Sequence, residues 1–187
     1  MSEPGPARVH VERASDGAPV EGDDTADLAR FVAGDAGAFA RLFARHAGRL
    51  LGLASRLLRD PDQAEDVVQE TFLALHRKAA TFRGESRVST WLSAIALNAA
   101  RMKLRRPRLA ALTEEQAASL PDRSPPPDSG DLAIALARLK PDAKELLLLA
   151  AQGHSYEELA ELLDLNPDQV RGRLYRARAA LTAELER

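Results

Sequence analysis

Ser155 to Leu181 reads SYEELAELLDLNPDQVRGRLYRARAAL. Ser155 and Glu158 form an S-x-x-E capping box at the start of one helix. Asn166 caps a second, with Pro167 at its first position and Gln169 at its third, and Asp164, Leu165 and Asn166 make the turn between them. With Val170 as origin and 100° per residue, Leu174, Ala177 and Leu181 cluster toward a core, whereas Asp168, Arg171, Gly172, Tyr175 and Arg176 point away. A helix-turn-helix whose second helix carries Arg171, Arg173, Arg176 and Arg178 has the chemistry of a major-groove reader. Arg171 and Arg176 can bond guanine edges or phosphates, Tyr175 can reach a phosphate or a thymine methyl, and Gly172 leaves room for close backbone approach. Arg173 and Arg178 have an alternative use, as salt bridges to Glu157, Glu158 or Glu161. Such a helix pair serves many DNA-binding regulators and does not say which.

Working outward, Pro141 opens a helix that Gly153 stops, and a carboxy-terminal unit begins at Asp131. Upstream, residues 108–130 hold Pro121, Pro125, Pro126 and Pro127 and read as a flexible linker, with a short helix expected over Thr113 to Ser119. About 20 residues at roughly 3.3–3.6 Å each reach up to about 70 Å, enough for two domains to grip separate sites on one partner. Residues 25–107 form the other unit. Leu28, Phe31 and Val32, then after Gly34-Asp35 Phe39, Leu42, Phe43, Leu50, Leu53, Leu57 and Leu58, recur at helical spacing up to Arg59. Asp60 and Pro61 open the next helix, with Ala64, Val67, Val68, Thr71, Phe72 and Leu75 on one face and Asp62, Glu65, Asp66, Gln69 and Glu70 on the other. A loop from Phe82 to Arg87 leads to a helix expected to be capped near Ser89 and stopped by Pro107, its buried stripe being Leu92, Ile95, Ala96, Ala99 and Met102. No helix interior is expected to contain a proline. Residues 1–24 are acidic, lack apolar periodicity and are expected to be disordered. The prediction is an all-α protein of two small helical domains joined by a flexible Pro-rich linker.

Composition agrees: 187 residues, 45% hydrophobic but only 4% aromatic, and rich in Ala, Leu and Arg. With no cysteine, neither disulfide nor thiolate chemistry is available. The net charge of −2 hides a segregation, since residues 25–107 carry 14 basic and 8 acidic side chains and the other segments are net negative. Arg101, Lys103, Arg105, Arg106 and Arg108 fall in one stretch free of acids, a candidate phosphate-contacting surface. No apolar run approaches the length of a membrane span and the amino terminus lacks a signal-peptide pattern, so no membrane insertion and a cytoplasmic location are expected. His10, His46, His76 and His154 are scattered without metal-ligand spacing, and there is no phosphate loop or nucleophile elbow. No catalysis, metal or cofactor is expected of such a sequence.

The order of DPDQAEDVVQETFLAL (Asp60 to Leu75), VSTWLSAIALNAARMKLRR (Val88 to Arg106) and the helix-turn-helix resembles the extracytoplasmic-function sigma factors of bacterial RNA polymerase, over roughly residues 25 to 187. The resemblance implies that residues 25–107 are sigma domain two and residues 131–187 sigma domain four. AEDVVQETF, Ala64 to Phe72, matches the family's polymerase-binding helix, so Asp66, Gln69, Glu70 and Leu73 would dock on a coiled coil of core RNA polymerase. An exposed row of acceptors suits a basic partner helix for reasons independent of the family. Trp91 and the basic helix after it resemble the promoter-melting region, in which Arg83, Ser86, Arg87, Trp91, Asn98, Arg101 and Arg105 would engage the minus-ten element. Capture of an unstacked base by the Phe82–Arg87 loop fits that role, although Trp91 and Phe82 serve equally well as core aromatics. Asp168, Arg171, Gly172, Tyr175 and Arg176 would read the minus-thirty-five element of promoter DNA. Asp168-Gln169 and Arg171-Gly172 stand where Gly-Thr and Lys-Ser are usual, so the base preference is not inherited.

The resemblance implies a promoter-specificity subunit that binds core polymerase, recognises both elements, assists melting and is regulated by an anti-sigma factor. Two alternatives stay open. A helix-turn-helix regulator would bind DNA without polymerase, and a sigma-mimicking adaptor would titrate an anti-sigma factor without needing the DNA-facing arginines.

Overall fold

The computed structural model describes residues 24–110 and 130–187, and every described element is helical. The acidic leader through residue 23, most of the linker and the helix expected over Thr113 to Ser119 lie outside the described residues.

Helix α1 (Asp24–Val32) starts inside the stretch read as leader, because Asp24 and Asp27 are buried anchors. Asp27, 0% exposed, accepts hydrogen bonds from Arg41 Nε at 2.9 Å and Arg45 Nη2 at 2.6 Å, which hold its carboxyl down to about 2. Burial raises the Asp24 carboxyl, but His46 and Arg45 outweigh it and keep the group below its ordinary value. Apolar periodicity is blind to such contacts. The chain then turns at Gly34 (φ +100°), and Asp35 caps α2 (Ala36–Leu58) by accepting from the Gly37 amide at 2.9 Å. Helix α2 ends with Arg59 in the left-handed region at φ 58°.

Asp60 caps α3 (Pro61–Lys78) through the Gln63 amide, and all six apolar-face residues named from the sequence, Ala64 to Leu75, are buried. A 3-10 turn, Ala79–Thr81, and the loop to Arg87 connect to α4 (Val88–Ala110). Helix α4 begins at Val88, 1% exposed in the core and one residue from the expected cap near Ser89, but two other expectations for it fail. It continues past Pro107, whose fixed φ is itself helical and which forfeits one hydrogen bond near the helix end. Met102 is 64% exposed, because the first unit's core is lined by Val88, Leu92, Ala96 and Ala100, a stripe rotated away from it.

That core fills the space among α1 to α4, with Leu42, Val67, Leu75 and Leu92 fully buried. Burying a leucine or valine contributes roughly 1.5–3 kcal/mol, so this cluster supplies most of the drive to fold. The second unit comprises α5 (Asp131–Arg138), α6 (Pro141–Ala150), α7 (Tyr156–Leu163) and α8 (Pro167–Leu185), with α8 packed on the other three. Both capping boxes form: Ser155 with Glu158, and Asn166 with Gln169. Asp164, at φ 54°, makes the turn.

The two units dock. Leu53 of α2 and Leu97 of α4 share one apolar cluster with Leu146, Leu148, Leu149, Leu159 and Leu174. Helix α4 therefore buries two faces, one in its own unit and a second, Thr90, Ser93 and Leu97, against the other.

Candidate polymerase and nucleic-acid interfaces

Packing of Val67, Phe72 and Leu75 inward turns the opposite side of α3 to solvent. Asp66, Gln69, Glu70 and Leu73, spaced i, i+3, i+4 and i+7, form a single exposed row, and Leu73 keeps 59% of its surface open. The sequence did not reveal its internal partner. Lys103 reaches from α4 to Asp66 Oδ2 at 3.2 Å and Glu70 Oε1 at 3.1 Å. Burial disfavours its ammonium, but the hydrogen bonds it donates to Glu70 and Asp66 prevail and raise its pKa, so it stays charged. The row is an acidic strip with a leucine at one end and a lysine holding two of its carboxylates.

The residues assigned to minus-ten recognition spread over a loop and one side of α4. Arg83 is exposed in the loop, 3.9 Å from Glu85. Trp91 is half-buried, its ring 5.2 Å from Phe82 and tilted 45°, and both pack on the first unit's core. Another part of Trp91 lines a cleft with Ser86, Thr90, Asn98, Glu161 and Leu162, so it is a core aromatic with one open side. Asn98 and Arg105 are exposed. Arg87 and Arg101 are not simply solvated: Arg87 makes a bidentate pair with Glu158, both bonds 2.6 Å, and Arg101 pairs with Glu145.

These acids belong to α6 and α7 of the other unit, and neither figured in the reading of the sequence as a partner for α4. Glu158 Oε1 also accepts from the Thr90 hydroxyl at 2.5 Å, and Oε2 accepts from the Ser155 amide at 2.8 Å. Burial raises its carboxyl, but Thr90, the Ser155 amide and Arg87 together hold it below its ordinary value. Beside it, His154 Nε2 lies 3.1 Å from Ser93 Oγ and Nδ1 lies 3.4 Å from Thr90 Oγ1. Burial lowers the His154 pKa against the pull of Glu158, so the ring is neutral near pH 7. Arg49 donates to the Gln152 carbonyl, and the Gln152 side-chain amide donates to the Arg49 carbonyl at 3.2 Å.

On α8, Val170, Leu174 and Ala177 are buried, while Asp168, Arg171, Tyr175 and Arg176 are exposed and Gly172 is half-buried. Tyr175 is 77% exposed. Arg171 is braced locally, 3.2 Å from Asp168 and with its guanidinium 5.9 Å from the Tyr156 ring centre. A Cβ at Gly172 would meet Arg176 at an ordinary 3.7 Å, so its lack of a side chain matters only to something arriving from outside. Among the described ion pairs none joins Arg173 or Arg178 to Glu157, Glu158 or Glu161. Glu158 is committed to Arg87 instead, and Arg173 and Arg178 are exposed.

Among the described residues no group of His, Cys, Asp or Glu is arranged to hold a metal ion, and no helix is long and apolar enough to cross a membrane.

Residues 42–109 match the Sigma-70 region 2 family and residues 130–181 match Sigma-70, region 4. The chain is 37% identical over 156 residues to the RNA polymerase sigma factor CarQ of Myxococcus xanthus, covering 80% of this chain and 90% of that one. It is 33% identical over 165 residues to the ECF RNA polymerase sigma factor SigM of Mycobacterium tuberculosis (strain ATCC 25618 / H37Rv), covering 86% and 84% respectively. The sigma factor RpoE of Bartonella quintana, solved in complex with the anti-sigma factor NepR, superposes with a TM-score of 0.66 at 26% identity, covering 79% of this chain and 96% of RpoE. An exposed acidic row, a basic helix and an arginine-bearing helix-turn-helix thus stand in the order of a known family: the chain belongs to the extracytoplasmic-function sigma factors of the sigma-70 family, which bind core RNA polymerase and direct it to promoters.

Proposed function

We propose that residues 25–107, extended to Asp24, act as sigma domain two and residues 131–187 as sigma domain four, with three surfaces in separate roles. Asp66, Gln69, Glu70 and Leu73 dock core polymerase. Arg83, Ser86, Arg87, Trp91, Asn98, Arg101 and Arg105 engage the minus-ten element during melting. Asp168, Arg171, Gly172, Tyr175 and Arg176 contact the minus-thirty-five element, the arginines and tyrosine through phosphates and base edges. The carrying observation is that α3 and α8 each spend one face on their own core and leave exposed a face suited to a different partner: carboxylates and a leucine on α3, arginines and a tyrosine on α8. The chain works in the cytoplasm, where the polymerase is, and performs no catalysis itself. RpoE was solved with an anti-sigma factor, which supports regulation of this chain by such a protein as well. A pull-down without promoter DNA should recover an inhibitory partner besides polymerase; polymerase alone would count against that regulation.

Run-off transcription with purified core polymerase on the promoter of the chain's own gene tests the central role. A transcript that depends on this chain is expected. No transcript from folded protein, with DNA bound in the absence of polymerase, would favour a conventional helix-turn-helix regulator.

A further inference from the structure

Resting on the minus-thirty-five role of α8 above, we propose that Tyr156 and Asp168 are positioning residues that fix Arg171 as the arginine reading a G·C pair, while Arg176 holds a phosphate. Asp168 and Arg171 both depart from the glycine and lysine usual at these places, so the pairing belongs to this chain rather than to the family pattern. Asp168 lies in the first turn of α8 and Arg171 three residues on, so their side chains meet on one face, and Arg171 Nη1 donates to Asp168 Oδ1 at 3.2 Å. From α7, the Tyr156 ring lies under the same guanidinium, its centre 5.9 Å from the guanidinium carbon. Two contacts from two helices thus restrict a side chain that is itself 67% exposed. Such exposed contacts stabilise little in water, but both strengthen when an incoming duplex displaces that water.

The contacts spare the groups that recognition needs. Asp168 takes Nη1 of Arg171, whereas Nε and Nη2 form the other edge of the fork, whose two donors match guanine O6 and N7. The Asp168 side chain keeps 89% of its surface open, so Oδ2 is available to accept from the N4 amino group of a cytosine in the same or the adjoining pair. The positive end of α8 would otherwise favour a phosphate, and the Asp168 charge opposes one there, which directs this end of the helix at base edges. Arg176 is different: it is exposed, and among the described residues it takes part in no ion pair or ring contact. A freely rotating guanidinium suffices for a phosphate, which accepts from many directions, but a base edge rewards one fixed orientation.

Holoenzyme formed from core polymerase and the full chain can select duplexes from a promoter library randomised across the minus-thirty-five element, with sequencing of the bound fraction. The parent should favour one G·C pair about tenfold or more over the alternatives, the range expected of a bidentate contact. R171A should abolish that preference, Y156L should cut it about twofold to fivefold, and Y156F, which keeps the ring face, should restore it. D168A should weaken selection at that pair or the adjoining one, whereas R176A should weaken binding evenly across the library and leave the preference in place. The ratio between two sequences does not depend on how much protein is folded, so instability of Y156L cannot imitate the result. Y156L with the parent's preference overturns the positioning by Tyr156. D168A that binds every sequence more tightly, with selection intact, overturns the role of Asp168. Loss of preference in R176A but not in R171A overturns the division between the arginines. A parent holoenzyme with no selection anywhere in the element would instead remove the minus-thirty-five role on which the inference rests.

Discussion

Leu73→Ala separates docking from folding more cleanly than any change to a charge. Its side chain is 59% exposed at the end of the acidic row, whereas Leu75, two residues on, is fully buried. Full burial of a leucine is worth roughly 1.5–3 kcal/mol. Covering the exposed 59% in a complex therefore contributes about 1–2 kcal/mol, or about five- to thirtyfold in Kd. The same truncation creates no cavity in the free protein, so its melting temperature should stay within about 2 °C of the parent. Leu75→Ala is the contrast, with about 2–5 kcal/mol lost from stability. Core polymerase affinity measured by fluorescence anisotropy, with thermal melts followed by circular dichroism, tests both expectations. An L73A protein that binds core within twofold of the parent, or that melts far earlier, would refute the reasoning that this row is an interface rather than a solvated helix face.

Three further outcomes follow from the geometry. Arg171→Ala with Arg176→Ala should weaken promoter binding by the holoenzyme about tenfold or more and lower its salt dependence, while core affinity measured without DNA stays unchanged; equal loss of both would erase the division of labour. Lys103→Met releases Asp66 and Glu70, so association with core should accelerate about twofold to threefold at low ionic strength and return to the parent rate in high salt, which stopped-flow anisotropy can follow. His154 is buried neutral with its pKa depressed, so its contribution to domain docking is complete above its ordinary value of 6.5 and fades as pH falls through the lower folded value. Glu158 attracts the protonated ring while Arg49 and Arg87 repel it, and burial decides the sign. Energy transfer between the domains should therefore fall on acidification below 6.5, and fall less in H154Q; identical titrations would show that another group controls docking.

The helices were legible wherever local chemistry sets them. Asp60-Pro61, Ser155 with Glu158 and Asn166-Pro167 with Gln169 each satisfy orphan amides from within a few residues, and all three caps form as the spacing requires. The inward and outward faces of α3 and α8 were legible for the same reason, since one apolar stripe on a 3.6-residue repeat specifies one direction. Helix α4 is less legible because it has two buried directions. Thr90, Ser93 and Leu97 are buried by the other unit, and a serine and threonine in that stripe give no apolar signal. The structural place of Asp24 is not legible, because a carboxylate buried against Arg45 and His46 looks like solvated charge in a linear sequence.

From order and spacing alone come the all-helical class, the two units and the residues that stand exposed on α3 and α8, because caps, turns and single-faced helices are decided within about a dozen residues. Contacts between residues far apart in the chain, up to 103 positions, are of another kind. That Glu145 and Glu158 occupy Arg101 and Arg87, that Lys103 spans the acidic row, and that Leu53 and Leu97 belong to the second core were settled only by packing. An ion pair or a shared apolar surface depends on where two helices meet in space, and the local pattern of either helix leaves that meeting point open.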